Sequence, residues 1–169
     1  MQRVLVIGIS GAGKSTFSRA LANTTGLPLI HLDKEFWQPG WVQTPRPEWR
    51  AKVGELAARE RWIMDGNYDS SLDLRLPRAD TVLWFDYPML RCLRRAMWRA
   101  VSSYGRVRTD MAEGCPERID LEFLRYIWTF NAKQRPRVVA ALERFGRHVD
   151  PVVFRRDGEA ARFLNALSG

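Results

Sequence analysis

Residues 3 to 17 read RVLVIGISGAGKSTF, an apolar run that breaks into a glycine-rich turn and then a polar helix start. Gly8, four residues, then Gly13, Lys14 and Ser15 is the G-x-x-x-x-G-K-[ST] spacing of a phosphate-binding loop. Glycines let the backbone take positive φ and approach an anion with no Cβ in the way. The loop amides converge on that anion, and the helix that follows points its positive end at it. Gly8, Ser10, Gly11, Ala12 and Gly13 therefore form the expected cradle, completed by Lys14, Ser15 and Thr16. Lys14 is placed to reach β and γ phosphates, the Ser15 hydroxyl to ligate magnesium, and Thr16 to lie nearer an α phosphate.

Outward from this turn, strand and helix patterns alternate. RVLVIGI is nearly continuous in apolar residues, as in a strand covered on both faces. A helical period follows from Lys14 to about Thr24. LPLIHLD is a second strand ending on Asp33, and Pro47 opens a helix to about Arg59. RWIMD and TVLWFD read as the third and fourth strands, and Pro88 starts a helix to about Ser103. A long helical pattern from Asp120 to Arg144 should break or kink at Pro136. HVDPVVF is the fifth strand, and the closing helix starts with Asp157 as N-cap. This order predicts one α/β domain over residues 1–169, a parallel sheet with helices on both faces. Ligands of such sheets bind at the carboxyl ends of the strands, where Asp33, Asp65 and Asp86 all fall.

Composition bounds the rest. The apolar runs are too short to span a bilayer, and MQRVLVIGIS flows into the glycine turn without a cleavage-like stretch. Cys92 and Cys115 form no CxxC pair and read as buried thiols in a reducing, cytoplasmic setting. The net charge is +8, and its 27 basic residues are four lysines and 23 arginines. Arginine matches phosphate oxygens with a two-pronged donor, so nucleoside phosphates and nucleic acid both fit this balance.

A magnesium site calls for an acid at the end of a neighbouring strand. Asp65 is the favoured candidate, because DGN continues into a loop able to approach the phosphates, and Asp86 reads as a residue capping its own turn. Arg91, Arg95 and Arg99 recur at four-residue steps on one face of their helix. Leu90, Leu93, Met97 and Val101 mark another face, suited to packing on the sheet. Arg118, Arg125, Arg135 and Arg137 complete a far wall. The stretch about 33–50 is the acceptor-side loop. Its Trp37, Trp41 and Trp49 either line a flat pocket or form a satellite core. His31 reads as a packed strand residue. Asp33 would take a proton from an attacking hydroxyl if the acceptor is an alcohol, and would only orient a phosphate acceptor.

GISGAGKST, WIMDGNY and LWFDYP together resemble the small P-loop kinases of the nucleoside monophosphate kinase type, adenylate kinase in particular. HLDKEFWQPGW, MDGNYDSSLDLRLPRAD and the arginine-rich helix resemble more closely the adenylate kinase-like DNA topology modulation proteins. The resemblance implies a three-layer P-loop NTPase fold with a five-stranded parallel sheet and a short helical lid over about 91–137. It also implies ATP and Mg²⁺ as cofactors and phosphoryl transfer to a small acceptor, with a nucleotide or nucleoside among the choices. Asp65 would orient the metal's water, and Arg95 and Arg99 match the arginines at the base of the lid. DGNYDSSLDLR departs from adenylate kinase, where an arginine gripping the acceptor phosphate comes sooner after the DG turn; here the first is Arg75. A zinc lid is not expected, since Cys115 stands alone where zinc wants four donors. A nucleic-acid-associated NTPase involved in DNA topology modulation is the rival function, although no helix-turn-helix or other reading motif is visible.

Overall fold

The computed structural model describes residues 1–168. β1 (Arg3–Gly8) leads into α1 (Lys14–Thr25), and β2 (Leu29–His31) into the short α2 (Leu32–Phe36). A hairpin of β3 (Trp37–Gln38) and β4 (Val42–Gln43) precedes α3 (Arg46–Ala58) and β5 (Trp62–Asp65). Then come α4 (Leu72–Arg75), β6 (Thr81–Phe85) and α5 (Met89–Ser102). The segment over 103–120, called the lid below, is irregular where a helical lid was expected across about 91–137, and it is followed by α6 (Leu121–Lys133), α7 (Arg135–Phe145), β7 (Val152–Phe154) and α8 (Asp157–Ser168). The main sheet is entirely parallel, in the order β2-β5-β1-β6-β7. The chain leaves β1 toward one edge and later crosses to the other, so a crevice opens at the carboxyl end of β1.

Strand periodicity sorts the core into two layers. Val4 and Val6 join Ile63, Leu83 and Phe85 under α1, α5, α6 and α8. Leu5 and Ile7 join Met64, Val82 and Trp84 under α3, α4 and α7. Each such aliphatic side chain contributes about 1.5–3 kcal/mol when fully removed from water.

The same parity separates the two candidate acids. Asp65 lies two residues beyond Ile63 and faces α1, whereas Asp86 lies two beyond Trp84 and faces α7. There Asp86 accepts two hydrogen bonds from Arg135, at 3.1 and 3.0 Å, while the guanidinium sits over the Trp84 ring.

Three expectations change. The α5 face that packs is Cys92, Ala96 and Ala100, joined by Leu93; Leu90, Met97 and Val101 are exposed. The reason is proximity: a Cβ on Gly11 would lie 2.3 Å from the Cys92 carbonyl oxygen, so α5 presses on the glycine loop through its small residues. Asp157 does not cap α8, because its carboxylate holds Arg95; Glu159 instead accepts from the amides of Arg155 and Arg156. The loop expected over 33–50 is mostly ordered structure, with α2, the hairpin and the first turn of α3 inside it. The break expected at Pro136 is present at Gln134, between α6 and α7.

Candidate active site

The glycine turn is shaped by the sheet as well as by its own sequence. Gly8, Gly11 and Gly13 have φ of 129°, 86° and 93°, values that exact a steric cost from any side chain. A Cβ on Gly8 would also stand 2.2 Å from the Phe85 carbonyl oxygen. Gly13 is the N-cap of α1, whose first turn carries no acid to compete for an anion. The Gly8 amide donates to Asn67 Oδ1 at 3.1 Å, and the Tyr126 hydroxyl reaches the same side chain.

Lys14 folds back over the turn, with Nζ donating to the Ile9 carbonyl at 3.0 Å. Burial lowers its pKa, and Asp65 and Asp33, in that order, pull it back up. One ammonium thus stands among the glycine cradle and two carboxylates. Asp65 ends β5 in register with His31 on β2, and the His31 Nδ1–H donates to Asp65 Oδ2 at 3.0 Å. His31 is therefore more than a packed strand residue, since it fixes the carboxylate. Asp33, in the first turn of α2, accepts from the Tyr68 hydroxyl at 2.6 Å. Burial raises the Asp33 pKa; the Tyr68 bond opposes this and the Asp65 charge adds to it.

Arg75 is fully enclosed and donates to the carbonyls of Gly66 (3.0 Å), Asn67 (2.5 Å) and Tyr68 (2.9 Å). Its guanidinium holds the turn after β5, in which Tyr68 takes a left-handed φ of 36°. Burial brings the Arg75 pKa down to about 10. The turn then presents Asn67 to the cradle and Tyr68 to Asp33.

The lid packs against this arrangement. Its arms pair through the Gly105 amide to the Glu117 carbonyl and the Glu117 amide to the Arg106 carbonyl, both 2.9 Å. Thr109 accepts from Arg19 at 2.7 Å, and the Asp110 carboxylate accepts from the Ser15 hydroxyl. Burial pushes the Asp110 pKa up, but Arg108 and Ser15 outweigh that and hold it below its usual value. Arg108 Nε lies 3.4 Å from Asp110 and 3.3 Å from Glu117, yet makes no hydrogen bond of good geometry. It is a buried donor that faces two carboxylates without a well-formed bond to either.

Arg99 joins from α5, 3.3 Å from Glu117 and with its guanidinium over the Phe123 ring. Arg95 turns the other way and pairs with Asp157 at 3.0 and 2.6 Å. Arg91 reaches the same acid at 3.8 Å. Arg137 pairs with Asp69, and Arg118 lies over Trp41 beside Asp120.

The far edge of the lid is fastened to the β3–β4 hairpin. The Gly40 amide donates to the Gly114 carbonyl at 2.9 Å, and Trp41 Nε1 to the Pro116 carbonyl at 3.1 Å. Cys115 Sγ donates to the Gln38 carbonyl at 3.2 Å, while Trp37 and Trp41 pack on Met111, Ala112 and Cys115. Trp49 is buried in the core with Val53 and Leu72. The two readings of the tryptophans thus divide: Trp49 is core, and Trp37 and Trp41 seat the lid.

Lys14, Ser15, Asp65, Asp33 and Arg99 come together around the cradle, and Arg95 stands outside it. Sequence reading missed His31, Asn67, Tyr68, Arg108, Asp110 and Glu117. An oxygen-only donor set of the Ser15 hydroxyl and the Asp65 carboxylate suits a hard cation such as magnesium, and three positive-φ glycines near the buried Arg108 guanidinium suit phosphates.

No family model and no curated protein matches this sequence. Among solved structures, a gluconokinase from Sinorhizobium meliloti 1021 superposes over 99% of this chain and 93% of its own, with TM-score 0.54 and 20% identity. A shikimate kinase from Bacteroides thetaiotaomicron covers 98% and 95%, with TM-score 0.49 and 17% identity. With the sheet order and glycine turn described above, the chain has the α/β fold of the P-loop kinases.

Proposed function

We propose that this chain is an ATP- and magnesium-dependent phosphotransferase that moves the γ-phosphoryl group to a small-molecule acceptor. The observation that carries the reading is the Lys14 ammonium, held at the glycine cradle beside Asp65 and Asp33 and covered by an arginine-bearing lid. Phosphoryl transfer is catalysed by positioning and by cancelling charge on the moving group. The amides of the turn after Gly8 and the α1 N-terminus would cradle the β-phosphate, with Lys14 neutralising β and γ oxygens. Ser15 and, through water, Asp65 would hold magnesium, which supplies further charge neutralisation on the β and γ phosphates.

His31 keeps Asp65 oriented. Arg99 and Arg108 would exchange part of their pairing with Glu117 for the γ-phosphate when ATP enters, and Asp110 would release Ser15. Asp33, fixed by Tyr68, faces the acceptor. Arg95 serves the joint between α5 and α8. Kinship with the adenylate kinase-like topology modulation proteins and a cytoplasmic setting belong to the same reading. Many of the arginines behind the +8 charge are spent on ion pairs within the fold, so that charge does not by itself call for a nucleic acid.

The test couples ADP release to a panel of nucleosides, nucleoside monophosphates and small alcohols. Turnover above water hydrolysis with at least one acceptor, lost in Lys14→Ala, supports the assignment. Absence of ATP binding by calorimetry sinks it.

A further inference from the structure

Resting on the phosphotransfer reading, we infer that the acceptor is an uncharged or cationic alcohol, phosphorylated on a hydroxyl oxygen, and not a phosphate or carboxylate. The ground is the distribution of charge around the acceptor side of the chamber.

A kinase whose acceptor is itself an anion needs a cation free to hold it. Here the cations on that side are committed elsewhere. Arg75 is enclosed and spends its guanidinium on four backbone carbonyls. Arg50 is bidentate to Asp73 at 3.0 and 2.7 Å, and Lys52 pairs with Glu35 at 2.6 Å. Arg137 is held by Asp69. Lys34 lines a cavity of about 300 Å³ with His31, Glu35 and Glu55, so two carboxylates share its surroundings. Arg125 shares the outer face of α6 with exposed Leu121 and Trp128, four residues before it and three after. Arg118, over Trp41, pairs with Asp120. Among the described residues Lys14, Arg99 and Arg108 also stand at the cradle, and in the reading above all three serve ATP.

What the acceptor does meet is acidic and polar: Asp33, with Asp65 near it, the Tyr68 hydroxyl and Asn67. An anion placed there would face two carboxylates whose nearby counter-charges, Lys14 and Arg108, belong to ATP in the reading above. A hydroxyl finds an acceptor in the Asp33 oxygen that Tyr68 leaves open, and an ammonium elsewhere on the same molecule would add attraction.

The step balances without a further reactant. The acceptor O–H bond breaks and its proton passes to Asp33. The oxygen bonds to the γ-phosphorus as the bond from that phosphorus to the β,γ-bridging oxygen breaks. ADP leaves with that electron pair, and Asp33 returns its proton to water. The sum is alcohol plus ATP giving a phosphate monoester, ADP and one proton.

The experiment uses the full chain with Mg·ATP and follows products by phosphorus NMR. The alcohol probes are glycerol, glucose, cytidine and ethanolamine; the anionic probes are AMP, CMP, inorganic phosphate and acetate. Monoester from an alcohol, with no anhydride from any anion, supports the inference. Water is the smallest hydroxyl acceptor, so unstimulated hydrolysis carries the same test if no probe is accepted. Asp33→Asn then lowers that hydrolysis roughly 100-fold, with the ATP dissociation constant kept within about threefold by calorimetry. Anhydride formed from AMP, CMP, phosphate or acetate, or hydrolysis unchanged in Asp33→Asn, overturns the alcohol assignment while leaving ATP use intact. Absence of ATP binding in the wild-type chain would instead overturn the phosphotransfer reading beneath it.

Discussion

Replacing Arg75 with methionine keeps a long apolar stem and removes a guanidinium that has no access to solvent. Four carbonyls lose a charged donor, those of Gly66, Asn67 and Tyr68 at 3.0, 2.5 and 2.9 Å and, more weakly, that of Ser71 at 3.4 Å. A buried acceptor left without a partner costs about 1–3 kcal/mol. Gly66 is buried and takes that in full, whereas Asn67 and Tyr68 are partly exposed and recover some hydration. Relief from burying a charge offsets a share of the loss. The net is a destabilisation of about 3–5 kcal/mol, which for a chain of this size lowers Tm by roughly 6–20 °C.

The turn is also what presents Asn67 to Gly8 and Tyr68 to Asp33. Arg75→Met should therefore lose turnover at temperatures where circular dichroism still reports a folded chain. Urea denaturation gives the first number and ADP release the second. A variant within about 1 kcal/mol of wild type and fully active would refute the idea that this guanidinium holds the turn.

Gly8→Ala places a methyl 2.2 Å from the Phe85 carbonyl at a φ of 129°, and is expected to cost at least about 3 kcal/mol by denaturation and to abolish ATP heat in calorimetry. Asp33 holds its proton more tightly when folded, because burial raises its pKa above 3.8. The stability this gives is fully present below pH 3.8 and is lost as pH rises through the folded pKa, so ionised Asp33 is a burden at neutral pH. Asp33→Asn should accordingly melt above wild type at pH 7, with the gap closing toward pH 3.8 in a Tm series. Arg95→Ala removes a partly exposed pair with Asp157 and should change stability by less than about 1 kcal/mol with turnover largely kept. Arg99→Ala should lower turnover about 100-fold or more in the same ADP-release assay. Gly114→Ala, at a φ of 73° and with its Cβ 2.9 Å from Pro39, should loosen the lid, seen as increased tryptophan solvent quenching and raised unproductive ATP hydrolysis.

The glycine turn, the strands and the Asp65 position were legible because each is a local pattern, three glycines before a lysine or an apolar run ending in an acid. That Asp65 and Asp86 fall on opposite faces of the sheet was also within reach, since strand parity alone sets it. What escaped depends on contacts between distant segments. The His31–Asp65 bond comes from the register of two strands 34 residues apart in sequence. Arg75 reads as a basic helix residue until the turn wraps around it. The α5 face was misjudged because apolar size is a poor guide where a helix approaches closely: Cys92, Ala96 and Ala100 fit the gap, and Leu90, Met97 and Val101 do not. Charge spacing on α5 put Arg95 and Arg99 side by side, yet one turn of helix sends the first to Asp157 and the second under the lid.

The places where side chains on Gly8 and Gly11 would go are filled by the carbonyl oxygens of Phe85 and Cys92. Those two glycines therefore answer to the interior of the molecule as much as to any nucleotide. A descendant that had abandoned chemistry would be free to drift at Lys14 or Asp33 long before it could give up either glycine without unfolding. In a lineage of this fold, a surviving glycine pattern attests that the scaffold persists, and under the function proposed above Lys14 and Asp33 are the positions that would record whether the chemistry does.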